Sequence, residues 1–155
     1  MKVVSDTSPL IAFNALDKVH ILKRLFGEII IPKGVYEELK QEEKEFSLEK
    51  WILVKELKNR DVFRALRLSL DYGESEAIAF YLENRMDLLI VDDKEARKVS
   101  RGIDINVMGT VGILILAKKK GLLSLIKDEM ECLEKKIDFR LSSSIKKRVL
   151  QEVGE

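Results

Sequence analysis

Two residue types that build many catalytic and metal sites are almost absent from this sequence. Its 155 residues include one cysteine, Cys132, and one histidine, His20. A single cysteine excludes an intrachain disulfide framework and a zinc site made of several thiolates. His20 has no motif around it, so we expect a helix-surface or partly buried histidine rather than a general base.

The motifs of several large enzyme classes are missing as well. The chain has no Gly-x-Ser-x-Gly elbow, no Walker loop and no Gly-x-Gly-x-x-Gly turn. Long apolar runs are also absent: the stretch 111–117 is too short to span a bilayer, and the first residues lack a signal-peptide core. We therefore expect a cytoplasmic protein whose chemistry, if it is an enzyme, runs on carboxylates and a metal.

The composition is typical of a folded protein with a heavily ionised surface. Hydrophobic residues make up 46% and charged residues 35%, which excludes a disordered chain. The length fits one domain over residues 1–155, and no linker or repeat divides it. Lysine and glutamate are abundant while glutamine is scarce, a bias that fits a thermophilic source.

Short aliphatic runs alternate with amphipathic stretches along the chain. They predict a strand before Asp6 and strands near 28–31, 51–54, 87–91 and 105–108, with helices between them and two more at about 122–134 and 143–153. The third strand is expected to be peripheral and the second short and central. Buried runs separated by helices indicate an α/β fold, with a mainly parallel central sheet covered on both sides.

Asp6 ends the first predicted strand and is followed by small hydroxyl residues and a proline. Thr7 or Ser8 can cap the next helix, whose first turn tolerates Pro9. Ligands of open α/β sheets bind beyond the carboxyl ends of the strands, so Asp6 is a candidate for chemistry. The alternative is an aspartate that only terminates a strand and caps a helix.

Two glutamates stand out by their positions on predicted helices. A rotation of 100° per residue places Glu38 nearer than Glu37 to the apolar face of its helix. In the helix that begins near residue 74, the same rotation places Glu74 on the apolar face and Glu76 almost diametrically opposite. A carboxylate on a buried face is costly unless it is compensated, so Glu74 is a second candidate.

The strand near residue 90 ends on two adjacent aspartates, Asp92 and Asp93. Asp92 with Glu95 three residues later resembles a helix capping box, which is an alternative for either aspartate singly. A cap needs only one of them, so the pair points to a further role.

The expected topology brings these acids to one edge of the sheet. Like charges that lie so close repel and raise one another's pKa values unless a cation holds them. We infer a divalent metal site with oxygen ligands, which favours Mg²⁺ or Mn²⁺ over zinc.

The same segments resemble a known family. The matching segments are 4–10, 31–32 with 35–39, 73–78, 91–93 with 96–97, and 109–112. In this order and spacing, over about residues 2–121, they resemble the PIN-domain superfamily. The likeness is greatest to its prokaryotic branch, which is related to the VapC-type toxin ribonucleases of toxin–antitoxin modules.

The resemblance implies a three-layer α/β/α sandwich that binds Mg²⁺ or Mn²⁺ and hydrolyses RNA phosphodiester bonds. The residues that would be catalytic and bind metal are Asp6, Glu38, Glu74 and, in the fourth place, Asp93 or Asp92. Strand-end spacing favours Asp93, with Asp92 as the cap. Thr7 or Ser8 would assist by hydrogen-bonding a ligand or a water. The implied partners are RNA, a small antitoxin and a second copy of the chain, with no membrane.

The overall charge does not indicate RNA binding, because the chain has 28 basic and 27 acidic residues and a net charge of +1. Only local clusters of basic residues support the RNA hypothesis. Arg97, Lys98 and Arg101 follow the aspartate pair and are candidates for substrate binding; the alternative is a solvated helix face.

Two other functions stay open. One is a catalytically silent PIN-like domain that binds nucleic acid or protein. The other is phosphotransfer through Asp6, which is disfavoured because Ser8 stands where a second aspartate is expected.

Overall fold

The computed structural model describes all 155 residues, and strands and helices alternate through most of the chain. The strands are β1 (Val3–Ser5), β2 (Ile29–Pro32), β3 (Ile52–Lys55), β4 (Leu88–Ile90) and β5 (Val107–Met108). The helices are α1 (Thr7–Ala15), α2 (Val19–Phe26), α3 (Lys33–Glu42), α4 (Asp61–Leu66), α5 (Tyr72–Asn84), α6 (Lys94–Gly102), α7 (Thr110–Lys119), α8 (Ile126–Lys136) and α9 (Ser143–Glu152). No helix is both long enough and apolar enough to cross a membrane.

The five strands form one sheet in the order β3-β2-β1-β4-β5, and every neighbouring pair is parallel. Val4 at the centre is level with Ile30 of β2 on one side and Leu89 of β4 on the other. Parallel neighbours require crossover connections, and helices supply them here. The expected α/β/α sandwich is confirmed, as is the edge position of β3. The second strand is not the central one: β1 occupies the centre, and β2 lies between β1 and the edge strand β3.

Side chains of the sheet alternate between two cores because successive residues of a strand point to opposite faces. Val3 and Ile29 point into the larger core, which packs against α1, α2, α3, α7 and α8. Val4 and Leu89 point into the smaller core, which packs against α5 and α6. Burial on both faces explains why the strands are continuous apolar runs in the sequence.

Two predicted helices begin or end elsewhere than expected. The apolar spacing of residues 59–70 predicts a helix over that stretch, but the structure forms only α4 there, and Arg67 Nη1 donates to the carbonyl of Leu70 at 3.0 Å in the turn that follows. The helix expected from residue 122 begins at Ile126, whose N–H donates to Glu155 Oε2 at 2.8 Å. The start of α8 thus depends on a contact with Glu155, which is distant in the sequence, so the local sequence cannot indicate it.

Candidate active site

The topology of the sheet creates a crevice between β1 and β4. The chain leaves β1 toward β2 on one side and leaves β4 toward β5 on the other, so the strand order reverses between these two strands. Ligands of open α/β sheets bind at such a switch point, beyond the carboxyl ends of the strands. Asp6 directly follows β1, and its N–H donates to the Ile90 carbonyl at 2.9 Å. The sheet therefore places Asp6 beside the chain segment that carries the two aspartates after β4.

Asp6 is only 5% exposed and occupies the N-cap position of α1, yet its carboxylate makes no capping hydrogen bond. The expected cap by Thr7 or Ser8 is wrong, because the helix already includes both residues and neither hydroxyl caps it. Thr7 Oγ1 is buried without a hydrogen-bond partner of good geometry, and Ser8 is exposed. A buried carboxylate that does not cap its helix is left free for another role.

At Gly73, α5 comes close to two carboxylates: that of Asp6, which directly follows β1, and that of Glu38 on α3. A Cβ atom built on Gly73 would lie 2.5 Å from Glu38 Oε2 and 2.9 Å from Asp6 Oδ1. Both oxygens therefore converge on the space beside the Gly73 α-carbon. Only glycine at this position lets the backbone of α5 come so close to two carboxylates.

Glu38 is half-buried and its neighbour Glu37 is exposed, so the predicted difference between the two glutamates is confirmed. Burial raises the pKa of Glu38, and the charges of Asp71 and Glu42 add to that effect. The nearby Thr7 hydroxyl acts in the opposite direction and lowers the pKa of Glu38. Glu38 thus faces other carboxylates rather than a basic partner.

Glu74 is 7% exposed and lies in the first turn of α5, where Asp71 is the N-cap. Glu74 N–H donates to Asp71 Oδ1 at 2.9 Å, and Asp71 N–H donates to Glu74 Oε2 at 3.3 Å, which completes a capping box. Asp71 is a site residue that the sequence analysis missed. The signal was present as an Asp-x-x-Glu pattern just before an apolar run.

Burial, with a smaller contribution from mutual repulsion, raises the pKa values of the carboxylates in this group. Burial raises the pKa of Asp6 well above its ordinary value, with further increases from Asp71, Glu38 and Glu74. Burial together with the charges of Asp71 and Asp93 raises the pKa of Glu74 to about 7. Mutual repulsion of this kind is relieved by a bound cation or by protons.

Asp92 and Asp93 have separate local roles. Asp93, not Asp92, is the N-cap of α6: its Oδ2 accepts from Ala96 N–H at 2.9 Å, which corrects the expected assignment. Asp92 instead accepts from Thr110 N–H and Thr110 Oγ1, both at 2.6 Å. Burial raises the pKa of Asp92, while the bonds from Thr110 lower it. Both Asp92 oxygens are therefore engaged at the start of α7, whereas Asp93 is exposed and its charge acts on Glu74.

The expectation that Glu76 lies opposite the buried face of α5 is wrong. Glu76 is 3% exposed, and every residue from 73 to 80 in this helix is buried. Its Oε1 accepts from Gly34 N–H at 2.6 Å and its Oε2 pairs with Arg60 Nη2 at 3.1 Å. Because Gly34 of α3 and Arg60, just before α4, both contact Glu76, this half of the helix is covered on that side as well and has no exposed face.

The predicted basic residues lie at different depths along α6. Arg97 is half-buried, and its charge lowers the pKa of Asp92; a Cβ atom on Gly109 would lie 3.4 Å from its Nη1. Lys98 and Arg101 are exposed. Arg97 is thus held beside Asp92, while the other two present their charges to solvent.

The chemistry of the acidic group suits a hard divalent cation. Its donors are carboxylate oxygens, which favour Mg²⁺ or Mn²⁺, and the convergence of Asp6 and Glu38 oxygens beside Gly73 provides a cradle for one. No three His, Cys, Asp or Glu side chains stand in a ready ligand arrangement, so the carboxylates would have to draw together around an ion. His20 is exposed on α2 and Cys132 is a half-buried free thiol on α8.

Comparisons with known proteins agree with this arrangement. A search of the curated proteins found no match to the chain. A family model described as PIN domain matches residues 2–155, which extends the resemblance seen in the sequence beyond residue 121. The parallel sheet, the acids at its switch point and this match together show that the chain belongs to the PIN-domain family, whose fold is of the nuclease type.

Proposed function

We propose that the chain is a metal-dependent ribonuclease that hydrolyses RNA phosphodiester bonds at the acidic group beside β1 and β4. The observation that carries the proposal is the convergence of Asp6 Oδ1 and Glu38 Oε2 beside Gly73, at the switch point of a PIN-domain sheet. Unpaired carboxylates are costly to bury, so their arrangement is explained best by a ligand of opposite charge.

Asp6, Glu38 and Glu74 are assigned as metal-binding and catalytic residues, with Asp93 in the fourth place. When bound, Mg²⁺ or Mn²⁺ would supply a water of lowered pKa and neutralise charge that develops on the phosphate. Glu74, whose pKa is raised to about 7 when no metal is bound, would have to give up its proton to bind the ion. Asp6, at the N-cap position of α1, and Glu38, on α3, contribute their carboxylates to the site from two different parts of the fold.

The fourth place is assigned to Asp93 rather than Asp92 on geometric grounds. Both oxygens of Asp92 accept hydrogen bonds from Thr110, whereas the charge of Asp93 reaches Glu74. Asp92 then serves as a positioning residue that fixes the start of α7 against the end of β4. Thr7, whose buried hydroxyl has no partner of good geometry, is assigned to support a ligand or a water.

The test is cleavage of a labelled single-stranded RNA in Mn²⁺ and in EDTA. We expect cleavage that requires the metal and that is lost in Glu38→Gln and in Asp6→Asn. Glu131→Gln is the matched control, because this glutamate is exposed on α8, outside the acidic group. Full activity in purified Asp6→Asn would contradict the proposed mechanism.

We further propose that the ribonuclease is the toxin of a toxin–antitoxin pair that acts in the cytoplasm as a homodimer, as the resemblance to that branch suggests. Expression of the wild type is then expected to arrest growth, whereas Asp6→Asn is tolerated. Sedimentation of the purified Asp6→Asn protein tests the dimer, and co-expression with a neighbouring small open reading frame tests the antitoxin.

A second candidate function is a catalytically silent PIN-like domain that binds nucleic acid or protein. The observation that favours it is that no three acidic side chains stand in a ready ligand arrangement. Thermal unfolding with and without Mn²⁺ separates the two candidates, because a ligand that binds only the folded state raises the midpoint. No stabilisation and no cleavage would favour the silent domain.

A further inference from the structure

A polar cleft of about 340 Å³ lies next to the acidic group but does not contain it. Residues from α3, from the segment after β3 and from α5 line it, among them Lys33, Gly34, Glu37, Arg60, Tyr72 and Glu76. None of the four acids assigned to metal binding faces this cleft. The cleft is therefore a separate feature that the proposed chemistry does not use.

The cleft and the acidic group share two helices and are divided by adjacent residues. On α3, Glu37 lines the cleft while Glu38 reaches the acidic group. On α5, Tyr72 lines the cleft while Gly73 contacts the carboxylates of Asp6 and Glu38. The cleft and the acidic group therefore adjoin along both helices, and a single strand bound at the acids can extend toward the cleft.

Tyr72 offers an aromatic surface in this cleft. Tyr72 is 46% exposed, although the eight residues that follow it in the helix, 73–80, are all buried. Phe63 packs edge-on against its ring, with centroids 4.8 Å apart, and Arg60 Nη2 donates to its hydroxyl at 2.9 Å. The guanidinium groups of Arg60 and Arg67 each lie 5.8 Å from the ring centroid. Gly34 of α3 also lies against one side of the ring, since a Cβ atom built there would collide with Tyr72 Cε1. The ring is thus held in one orientation, while the residue as a whole stays nearly half exposed to solvent.

The charges of the cleft favour a neutral group with N–H donors over a phosphate. Three carboxylates and two cations line it. Glu56 pairs with Lys33 at 3.2 Å and Glu76 with Arg60 at 3.1 Å. Glu37 remains as an exposed carboxylate with an open acceptor. Nucleobases combine a flat surface for stacking with N–H donors on their edges.

We propose that this cleft binds the nucleobase of a nucleotide next to the scissile phosphate. Tyr72 stacks on the base, and Glu37 accepts hydrogen bonds from N–H groups on its edge. The proposal rests on the proposed ribonuclease function and adds to it a residue pair that sets which base is accepted beside the cut.

The test uses single-stranded RNA whose cleavage site has first been mapped with the wild type. A set of substrates then carries one abasic nucleotide, stepped along the strand. At one position beside the cut we expect the abasic nucleotide to raise KM for the wild type but not for Tyr72→Ala, because the variant has already lost the stacking surface. Tyr72→Ala itself is expected to raise KM by roughly 5- to 150-fold, the range found for loss of one stacked base.

Four further variants separate stacking from a structural effect and test the hydrogen bonding to the base edge. Tyr72→Phe keeps the ring and is expected to retain most of the wild-type KM, although it loses the bond from Arg60. Leu125→Ala removes an exposed apolar side chain outside the cleft and is expected to leave KM unchanged. Glu37→Gln is expected to reduce the preference among bases at the identified position, with Glu131→Gln as its matched control.

Two results would overturn the cleft assignment while the ribonuclease function stands. One is an equal abasic effect in the wild type and Tyr72→Ala at every position. The other is a Tyr72→Phe variant as defective as Tyr72→Ala, which would assign the effect to the hydroxyl and Arg60. Absence of any RNA cleavage by the wild type would instead contradict the ribonuclease function itself.

Discussion

Asp71 and Glu74 cap the start of α5 for each other: each backbone N–H donates to the carboxylate of the other residue, at 3.3 Å and 2.9 Å. The pair stabilises the helix start, and it also brings two carboxylates together. The charge of Asp71 contributes to the raised pKa of Glu74, of Glu38 and of Asp6. One local capping motif therefore fixes the start of α5 and adds to the effect of burial on the pKa values of the acidic group.

Replacement of Asp71 separates these two effects. Asp71→Asn keeps a good N-cap but removes the charge, so the pKa of Glu74 is expected to fall while stability changes little. Asp71→Ala loses the cap as well and is expected to cost about 1 kcal/mol of unfolding free energy. NMR titration and urea denaturation measure the two effects. An unchanged pKa of Glu74 in Asp71→Asn would show that the charge of Asp71 does not act on it.

Stability without metal is expected to fall as the pH rises. A carboxyl whose pKa is raised on folding contributes stability that is complete below its unfolded pKa and is lost as the pH passes its folded pKa. For Glu74 that window runs from 4.5 to about 7. The melting temperature in EDTA should therefore decrease across this window, and Glu74→Gln should flatten the decrease. A decrease of the same size in Glu74→Gln would place its origin elsewhere.

Addition of Mn²⁺ is expected to reverse this trend. Binding to carboxylates requires that they lose their protons, so stabilisation by Mn²⁺ should grow as the pH rises through the same window. Melting curves at a fixed Mn²⁺ concentration measure it. Stabilisation that is equal at pH 5 and pH 8 would argue against binding at these acids.

Gly73→Ala is expected to lower activity by about 100-fold while the protein stays folded. The added methyl would lie 2.5 Å from Glu38 Oε2 and 2.9 Å from Asp6 Oδ1, so both carboxylates must shift. Gly102→Ala is the matched control, because a Cβ atom there meets nothing within 4 Å. Cleavage kinetics and the Mn²⁺ effect on melting should both be impaired in Gly73→Ala alone. Unaltered cleavage kinetics in Gly73→Ala would show that the close approach of α5 does not position Glu38 and Asp6.

Asp92 and Asp93 are expected to respond differently to replacement. Asp93→Asn keeps an N-cap for α6 and should lose activity with little change in stability. Asp92→Ala leaves the Thr110 N–H and hydroxyl without their partner, which is expected to cost about 1–3 kcal/mol. Cleavage assays and urea denaturation of both variants measure this. Full activity in Asp93→Asn would indicate that Asp92, rather than Asp93, is the fourth metal-binding residue.

Glu76 is expected to matter for stability more than a surface glutamate. Glu76→Ala removes the acceptor of Gly34 N–H and the partner of Arg60, at a cost of about 2–4 kcal/mol. Glu152→Ala is the control, because its pair with Lys119 is about half exposed and such pairs contribute at most about 1 kcal/mol. Similar losses of unfolding free energy in the two variants would show that burial of Glu76 does not increase its contribution to stability.

Much of the fold followed from patterns that are local in the sequence. The aliphatic runs predicted the strands because a parallel sheet covered on both sides buries both faces of each strand. Glu38 was separated correctly from Glu37 because α3 has one buried face. The same rotation failed for Glu76, since a helix that is covered on two sides has no single apolar stripe. That the chain is a single domain stays a prediction.

The sequence by itself determined the order of strands and helices and the presence of acids at strand ends and helix starts. It also limited the chemistry to oxygen ligands, because one cysteine and one histidine leave few others. Only the tertiary structure decided that Asp71 joins the group, that both oxygens of Asp92 bond to Thr110, and that a cleft opens beside Tyr72. The reason is physical: capping and propensity depend on neighbours in the chain. The approach of α3, α5 and the two strand ends depends instead on how the two cores pack against the sheet.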